Sequence, residues 1–134
     1  MGFTVGIYVK NSVEAVELYR SVFGLELGYH VLNDDGSYFH SELSKDGVNV
    51  CSVVESDKDV SGVNPIELGY TFSDHAELEK AFNALKEGGT VKLDICELPW
   101  SPCAACVTDR FGVNWYLTVP GYRPPDDFTP ADCK

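Results

Sequence analysis

Two short spacings in this chain have residue types that could carry chemistry. The first is His40 with Glu42, an imidazole and a carboxylate two positions apart. In a strand such residues share a face, so the pair could offer two metal donors on one side of a sheet. A hydrogen-bonded polar pair is the plainer account, because a metal-binding histidine normally comes with further ligands and a partner for its second nitrogen. The second spacing is Cys103-Ala-Ala-Cys106. Dithiol redox chemistry needs the first thiol at a helix N-terminus, where its pKa falls. Here the segment leads into a strand-like run, in which residues three apart point to opposite faces, so the motif is not read as redox-active. Zinc binding by Cys96, Cys103 and Cys106 lacks a second paired motif with zinc-finger spacing. His30 and His75 are the other histidines that could add to a metal site; His75 falls in the first turn of a predicted helix and reads as a surface residue. No Ser/His/Asp order, phosphate-cradling glycine loop or dinucleotide fingerprint is present.

The elements that must position such groups follow from periodicity. Residues 107–118 open on a turn signal, Asp-Arg-Phe-Gly, then alternate. Val113, Trp115, Leu117 and Val119 fall on one face, Asn114, Tyr116 and Thr118 on the other, which describes a strand with one face on a core and one facing something polar. Core packing is the first explanation for Trp115. Trp100, between Pro99 and Pro102 at a strand connection, could roof a ligand pocket or pack a dimer contact.

Upstream, Phe3–Lys10 alternates as a strand, and Asn11 or Ser12 is expected to cap a helix ending at Gly24. Strands are predicted over Glu26–Leu32, Tyr38–Ser44 and Val48–Val54, with hairpin turns at 33–36 and 45–47. The order then repeats. A strand covers Ile66–Phe72, and Asp74 with Glu77 forms a capping box for a helix that stops at Gly88-Gly89. Strands follow over Thr90–Cys96, Ala104–Thr108 and Val113–Val119. The expected organisation is therefore α+β: a first βαβββ module over 1–54, a linker over 55–64, a second βαβββ module over 65–120 and a proline-rich tail over 121–134.

Composition bounds the partners. The 134 residues carry a formal net charge of −11, which argues against nucleic acid and anionic membrane surfaces. No signal peptide or membrane-spanning apolar run is evident, so a cytoplasmic location is expected. Five cysteines, an odd number, then read as reduced thiols.

The stretch 14–24, Glu-Ala-Val-Glu-Leu-Tyr-Arg-Ser-Val-Phe-Gly, resembles the first-helix signature of the glyoxalase/bleomycin-resistance/extradiol-dioxygenase group, the vicinal oxygen chelate superfamily. Gly88-Gly89, Leu98-Pro-Trp100 and the run from Val107 to Trp115 resemble its PhnB-like branch more narrowly. The resemblance implies two βαβββ modules forming a curved mixed sheet around a small-molecule cleft, and a homodimer. It also implies, in catalytic members, a divalent metal held by His, Gln or Glu side chains. Counted from the motifs, the corresponding positions here are Thr4, Glu67, Cys51 (uncertain by one residue) and Tyr116. Only Glu67 is a competent hard-metal ligand.

The expectation is thus a small-molecule binder with no metal site and no cofactor. Its cleft would be lined by Thr4, Tyr8, Tyr38, His40, Cys51, Glu67, Trp100 and Tyr116, with Glu67 hydrogen-bonded by the Tyr116 phenol. The alternative is a metal-dependent lyase, isomerase or dioxygenase using Glu67 with unidentified partners, to which His40 and Glu42 could add donors only if their strand brings them to the floor of the same cleft. No residue is assigned a catalytic role.

Overall fold

Each half of the chain builds one sheet and one helix, in the same order. A computed structural model describes residues 3–58, 64 and 66–121. The first unit contains β1 (Gly6–Val9), α1 (Ser12–Phe23), β2 (Glu26–Leu32), β3 (Tyr38–Lys45) and β4 (Val48–Glu55). The second contains β5 (Glu67–Thr71), α2 (His75–Leu85), β6 (Thr90–Leu98), β7 (Ser101–Thr108) and β8 (Asn114–Thr118). The strand orders are β1-β4-β3-β2 and β5-β8-β7-β6, so the repeat read from the sequence is a repeat of topology. In each sheet the first and last strands pair in parallel and the other neighbours pair antiparallel. Among the described residues no helix is long and apolar enough to cross a membrane.

The helices cover one face of each sheet because their apolar stripes match the strand alternation. In the first unit Val9, Ala15, Val16, Leu43 and Val53 are completely buried. In the second, Leu78, Leu85, Ala105 and Leu117 are. The turns take their expected chemistry. Asp46 and Gly47 both have positive φ (52° and 81°), the geometry of a two-residue hairpin loop.

Several details differ from the sequence expectations: β1 begins at Gly6, β6 runs on to Leu98 and β7 begins at Ser101, and the helix starts are closed differently. Asn11 adopts φ 62° and its side chain caps nothing, while the Ser12 hydroxyl accepts from the Tyr38 N–H. The N-terminus of α1 is instead closed by Glu55, whose carboxylate accepts from Ser12 N (2.8 Å) and Asn11 N (3.0 Å). Glu55 therefore belongs to the end of β4, not to a linker, because β4 runs parallel to β1 and ends where α1 begins. Residues 59–63 of the expected linker and 122–134 of the tail lie outside the described residues. In α2, Asp74 caps Glu77 N as expected, but the Glu77 carboxylate accepts from the Ser73 hydroxyl instead of the Asp74 N–H.

The Glu55 cap gives a pH-dependent expectation. Burial raises its pKa, but the hydrogen bonds from Ser12 and Asn11 and the charge of Lys10 outweigh this and leave it below the ordinary 4.5. A depressed folded-state pKa contributes stability that is present above the unfolded value and lost as pH falls through the folded one. Glu55→Ala should cost about 1 kcal/mol at neutral pH, the usual worth of a helix cap, and this difference should shrink under acid conditions. Urea unfolding of both proteins at pH 7 and pH 3.5 checks it; an equal difference at both pH values would contradict the cap.

Candidate functional site

The polar face of β8 is where the second unit places its reactive groups. Pairing sets Glu67 opposite Asn114 and Gly69 opposite Tyr116, while on the other side Cys106 lies opposite Tyr116. Residues in register share a face, so Glu67, Tyr116 and Cys106 are brought together on one side of the sheet. Asn114 fixes the start of β5 from this strand: its amide donates to the carbonyls of Asn64 (2.8 Å) and Ile66 (3.0 Å) and accepts from the Thr108 hydroxyl.

Tyr116 and Trp100 then lock together. The β6–β7 turn carries Trp100, whose indole Nε1 donates to the Tyr116 phenol oxygen at 2.7 Å. Both are half-buried. The turn itself is pinned where Gly121 passes the Trp100 carbonyl, so closely that a Cβ there would lie 2.0 Å from it. With that oxygen already accepting, the phenol keeps its own O–H to donate.

The result is a recess of ≈ 480 Å³ lined by Glu67, Leu93, Leu98, Trp100, Cys106 and Tyr116. That size suits a small molecule, and the mixture of apolar walls with a few polar groups is what ligand pockets carry. Burial pushes the Cys106 thiol up to about 11, aided by the charge of Glu67 and a hydrogen bond to it. At neutral pH the thiol is therefore protonated and not a thiolate nucleophile.

Of the residues expected to line a cleft, the structure brings Glu67, Trp100 and Tyr116 together. The expected bond between Glu67 and Tyr116 is not made; the Tyr116 oxygen accepts from Trp100. Gly69, not Glu67, is the residue opposite Tyr116, and the phenol extends on toward the β6–β7 turn. Leu93, Leu98 and Cys106 were missed. The signal for Cys106 was its period-two phase with Ala104, opposite to the core-facing Cys103, which is 1% exposed.

The first-unit candidates are differently placed. Tyr8 is exposed, and Thr4 lies exposed just before β1. His40 Nε2 and Glu42 Oε2 lie 2.9 Å apart, a polar pair on the sheet. Tyr38 is buried, with its ring edge-on to His30. Cys51 is corrected outright. It pairs with Leu43 on the helix-covered side, whereas the Gly6–Ser52 pairing puts Ser52 on the face of Tyr8. The register is one residue away from the one counted.

These placements decide whether the residues fit the metal that the resemblance implies. The Cys51 thiol is pushed up to about 11 by burial alone, so it is protonated at neutral pH. Thr4 is a neutral oxygen, and the Tyr116 oxygen already accepts from Trp100. Glu67 is left as the single anionic donor of the mapped set. Among the described residues no three His, Cys, Asp or Glu side chains converge as a metal-binding group, and Cys103 and Cys106 lie on opposite faces of β7. The donor set does not fit a divalent metal.

The turn that precedes β8 is held by a buried carboxylate. Asp109 is 3% exposed, and its Oδ1 accepts from Phe111 N (2.9 Å) and Val113 N (3.0 Å). Its Oδ2 accepts from Trp115 Nε1 at 2.9 Å. Gly112, at φ 90°, completes the reversal. The Asp-x-Phe-Gly-Val-x-Trp stretch is thus a self-bonded hairpin that sets the phase of β8, and hence the aim of Tyr116.

Comparison with solved structures finds a PhnB protein from Bacillus cereus at 19% identity and TM-score 0.77, over 89% of this chain and 99% of that one. Protein PA1353 from Pseudomonas aeruginosa is 23% identical at TM-score 0.72, over 89% and 98%. The fosfomycin resistance protein FosX from Listeria monocytogenes, complexed with Mn(II) and sulfate, is 12% identical at TM-score 0.66, over 90% of each chain. At these identities the likeness is one of fold. No curated protein matches the sequence. Residues 3–117, which span both modules and the Trp100–Tyr116 recess, match one family along their length, and the chain belongs to the Glyoxalase/Bleomycin resistance protein/Dioxygenase superfamily.

Proposed function

We propose that this protein is a PhnB-like small-molecule binder that holds its ligand in the second-module recess without a metal. The observation that carries the reading is the Trp100–Tyr116 hydrogen bond (2.7 Å). It stands where the resemblance would put a metal-ligating carboxylate, and it ties up the oxygen at that position while building one wall of a ligand-sized recess. Glu67 and the Tyr116 O–H supply the polar contacts, and Leu93 and Leu98 the apolar ones. A divalent ion in this donor set would be poorly neutralised, so the reading includes no metal Lewis acid.

The reading includes a homodimer in the cytoplasm. Exposed Tyr29, Val31, Leu32 and Phe39 on β2 and β3 support a partner surface, and free thiols at Cys51, Cys96, Cys103 and Cys106 suit a reducing compartment.

The test is one preparation purified without chelator. Elemental analysis should find no stoichiometric transition metal, and light scattering should find a dimer. In ¹⁵N spectra, small aromatic fragments that bind should move the indole N–H signal of Trp100 and leave that of Trp115, held by Asp109, in place. About one nickel, zinc, iron or manganese per chain, lost on Glu67→Ala, would sink the metal-free binder, and bound fragments that leave Trp100 unmoved would relocate the site.

A further inference from the structure

We infer that the recess takes an uncharged ligand that presents a carbonyl beside an N–H, the edge of an amide, lactam or urea; the inference rests on the reading that this recess is the ligand site. Its lining holds two strong hydrogen-bonding groups, Tyr116 and Glu67, of opposite demand. The Tyr116 oxygen accepts from the Trp100 indole, so the phenol is left with an O–H to donate. Among the described residues no acceptor takes that O–H. Glu67 is exposed, and its carboxylate can only accept. Register sets both on one face: Glu67 pairs with Asn114, and Tyr116 lies two residues further along β8. A molecule that meets both must therefore accept at the phenol and donate at the carboxylate. A carbonyl next to an N–H does so with one rigid group.

Charge points to the same class. Lys92 precedes Leu93 in β6, and it bears electrostatically on Cys106 with a sign opposite to that of Glu67. The ammonium and the carboxylate thus offset one another around the recess. A cationic ligand would be drawn by Glu67 and repelled by Lys92, and an anionic one the reverse. Leu93 and Leu98 make up apolar wall, and taking an ion out of water against such a surface costs more than taking a neutral amide whose two polar atoms are both bonded. The Cys106 thiol between them is protonated and adds no charge.

Four probes built on one phenyl ring separate the possibilities: benzamide, acetophenone, benzoate and benzylammonium. Each is titrated into the full chain and followed by the backbone ¹⁵N signals of Leu93 and Cys106. Benzamide should bind roughly threefold to tenfold more tightly than acetophenone, which keeps the carbonyl and lacks the N–H; this is the scale of one hydrogen bond. Both ions should bind more weakly than benzamide. In Glu67→Ala the advantage of benzamide over acetophenone should disappear, because the acceptor for its N–H is gone. In Tyr116→Phe both carbonyl probes should weaken, by about threefold or more. That change also releases the Trp100 indole, whereas Glu67 takes no part in that bond, so the Glu67→Ala ratio is the deciding measurement. Equal binding of benzamide and acetophenone, a preference for either ion, or a benzamide advantage that survives Glu67→Ala would overturn the amide and leave the recess as a ligand site. If no probe moves either signal, both the amide and the site fail.

Discussion

Replacing Asp109 by Ala is expected to destabilise the protein by about 4 kcal/mol, with the loss falling on the β7–β8 hairpin. The carboxylate accepts from Phe111 N, Val113 N and Trp115 Nε1, and it is 3% exposed. Alanine would strand all of these donors in a site that admits little water. Each unsatisfied buried donor costs about 1–3 kcal/mol, less than additively when they share an acceptor. Against a typical total stability of about 5–15 kcal/mol the change is severe. Asp109→Asn should be intermediate, near 2 kcal/mol: its amide oxygen can still serve the backbone donors, but its N–H₂ would face the indole N–H donor to donor. Urea titrations followed by tryptophan fluorescence would measure both. A loss below about 1 kcal/mol for Asp109→Ala would remove the structural role assigned to the motif.

Gly89→Ala should cost about 3 kcal/mol, seen as a fall in melting temperature of about 10 °C. A Cβ at this position would lie 2.2 Å from the carbonyl oxygen of Thr108 and 3.1 Å from the backbone of Asp109. The obstacle is main chain inside a paired strand, so no rotamer can relieve it; β6 or β7 must move. Gly36→Ala is the control, because Gly36 has φ 87° with nothing within 4 Å of its added Cβ. It should show the strain of a left-handed backbone alone, about 1 kcal/mol. Equal losses at the two positions would mean that close packing at Gly89 is not what its glycine provides.

Both expectations bear on function, because the hairpin they test determines where Tyr116 points. If Asp109→Asn leaves a folded protein, the bond between Trp100 and Tyr116 should loosen with it, and the recess should lose affinity before the fold is lost. On the proposed function, the motif would act on ligand binding through position. Neither Asp109 nor Gly89 lines the recess.

The sequence by itself determined the element order. A strand-like run set off by turn signals places Glu26–Leu32 as a strand with the ends the structure shows, and Gly24 stops α1 where its φ of 65° allows a left-handed residue. Such signals are local: they depend on neighbours a few residues away and on which backbone angles a residue tolerates. The polar phase of β8 was legible for the same reason, and with it Tyr116. Contacts across long separations were not. That Glu55 would close a helix beginning at Ser12, 43 residues earlier, follows from the parallel pairing of β1 with β4, which no local pattern encodes. Cys51 was assigned to the wrong face because a one-residue change in register reverses every side chain of a strand, and counting from a distant motif carries that error. The partner of Trp100 was likewise open, as roof or dimer contact, until the β6–β7 turn brought its indole to Tyr116. Local chemistry chose the strands and their faces; only the packed sheet decided which residues on those faces meet.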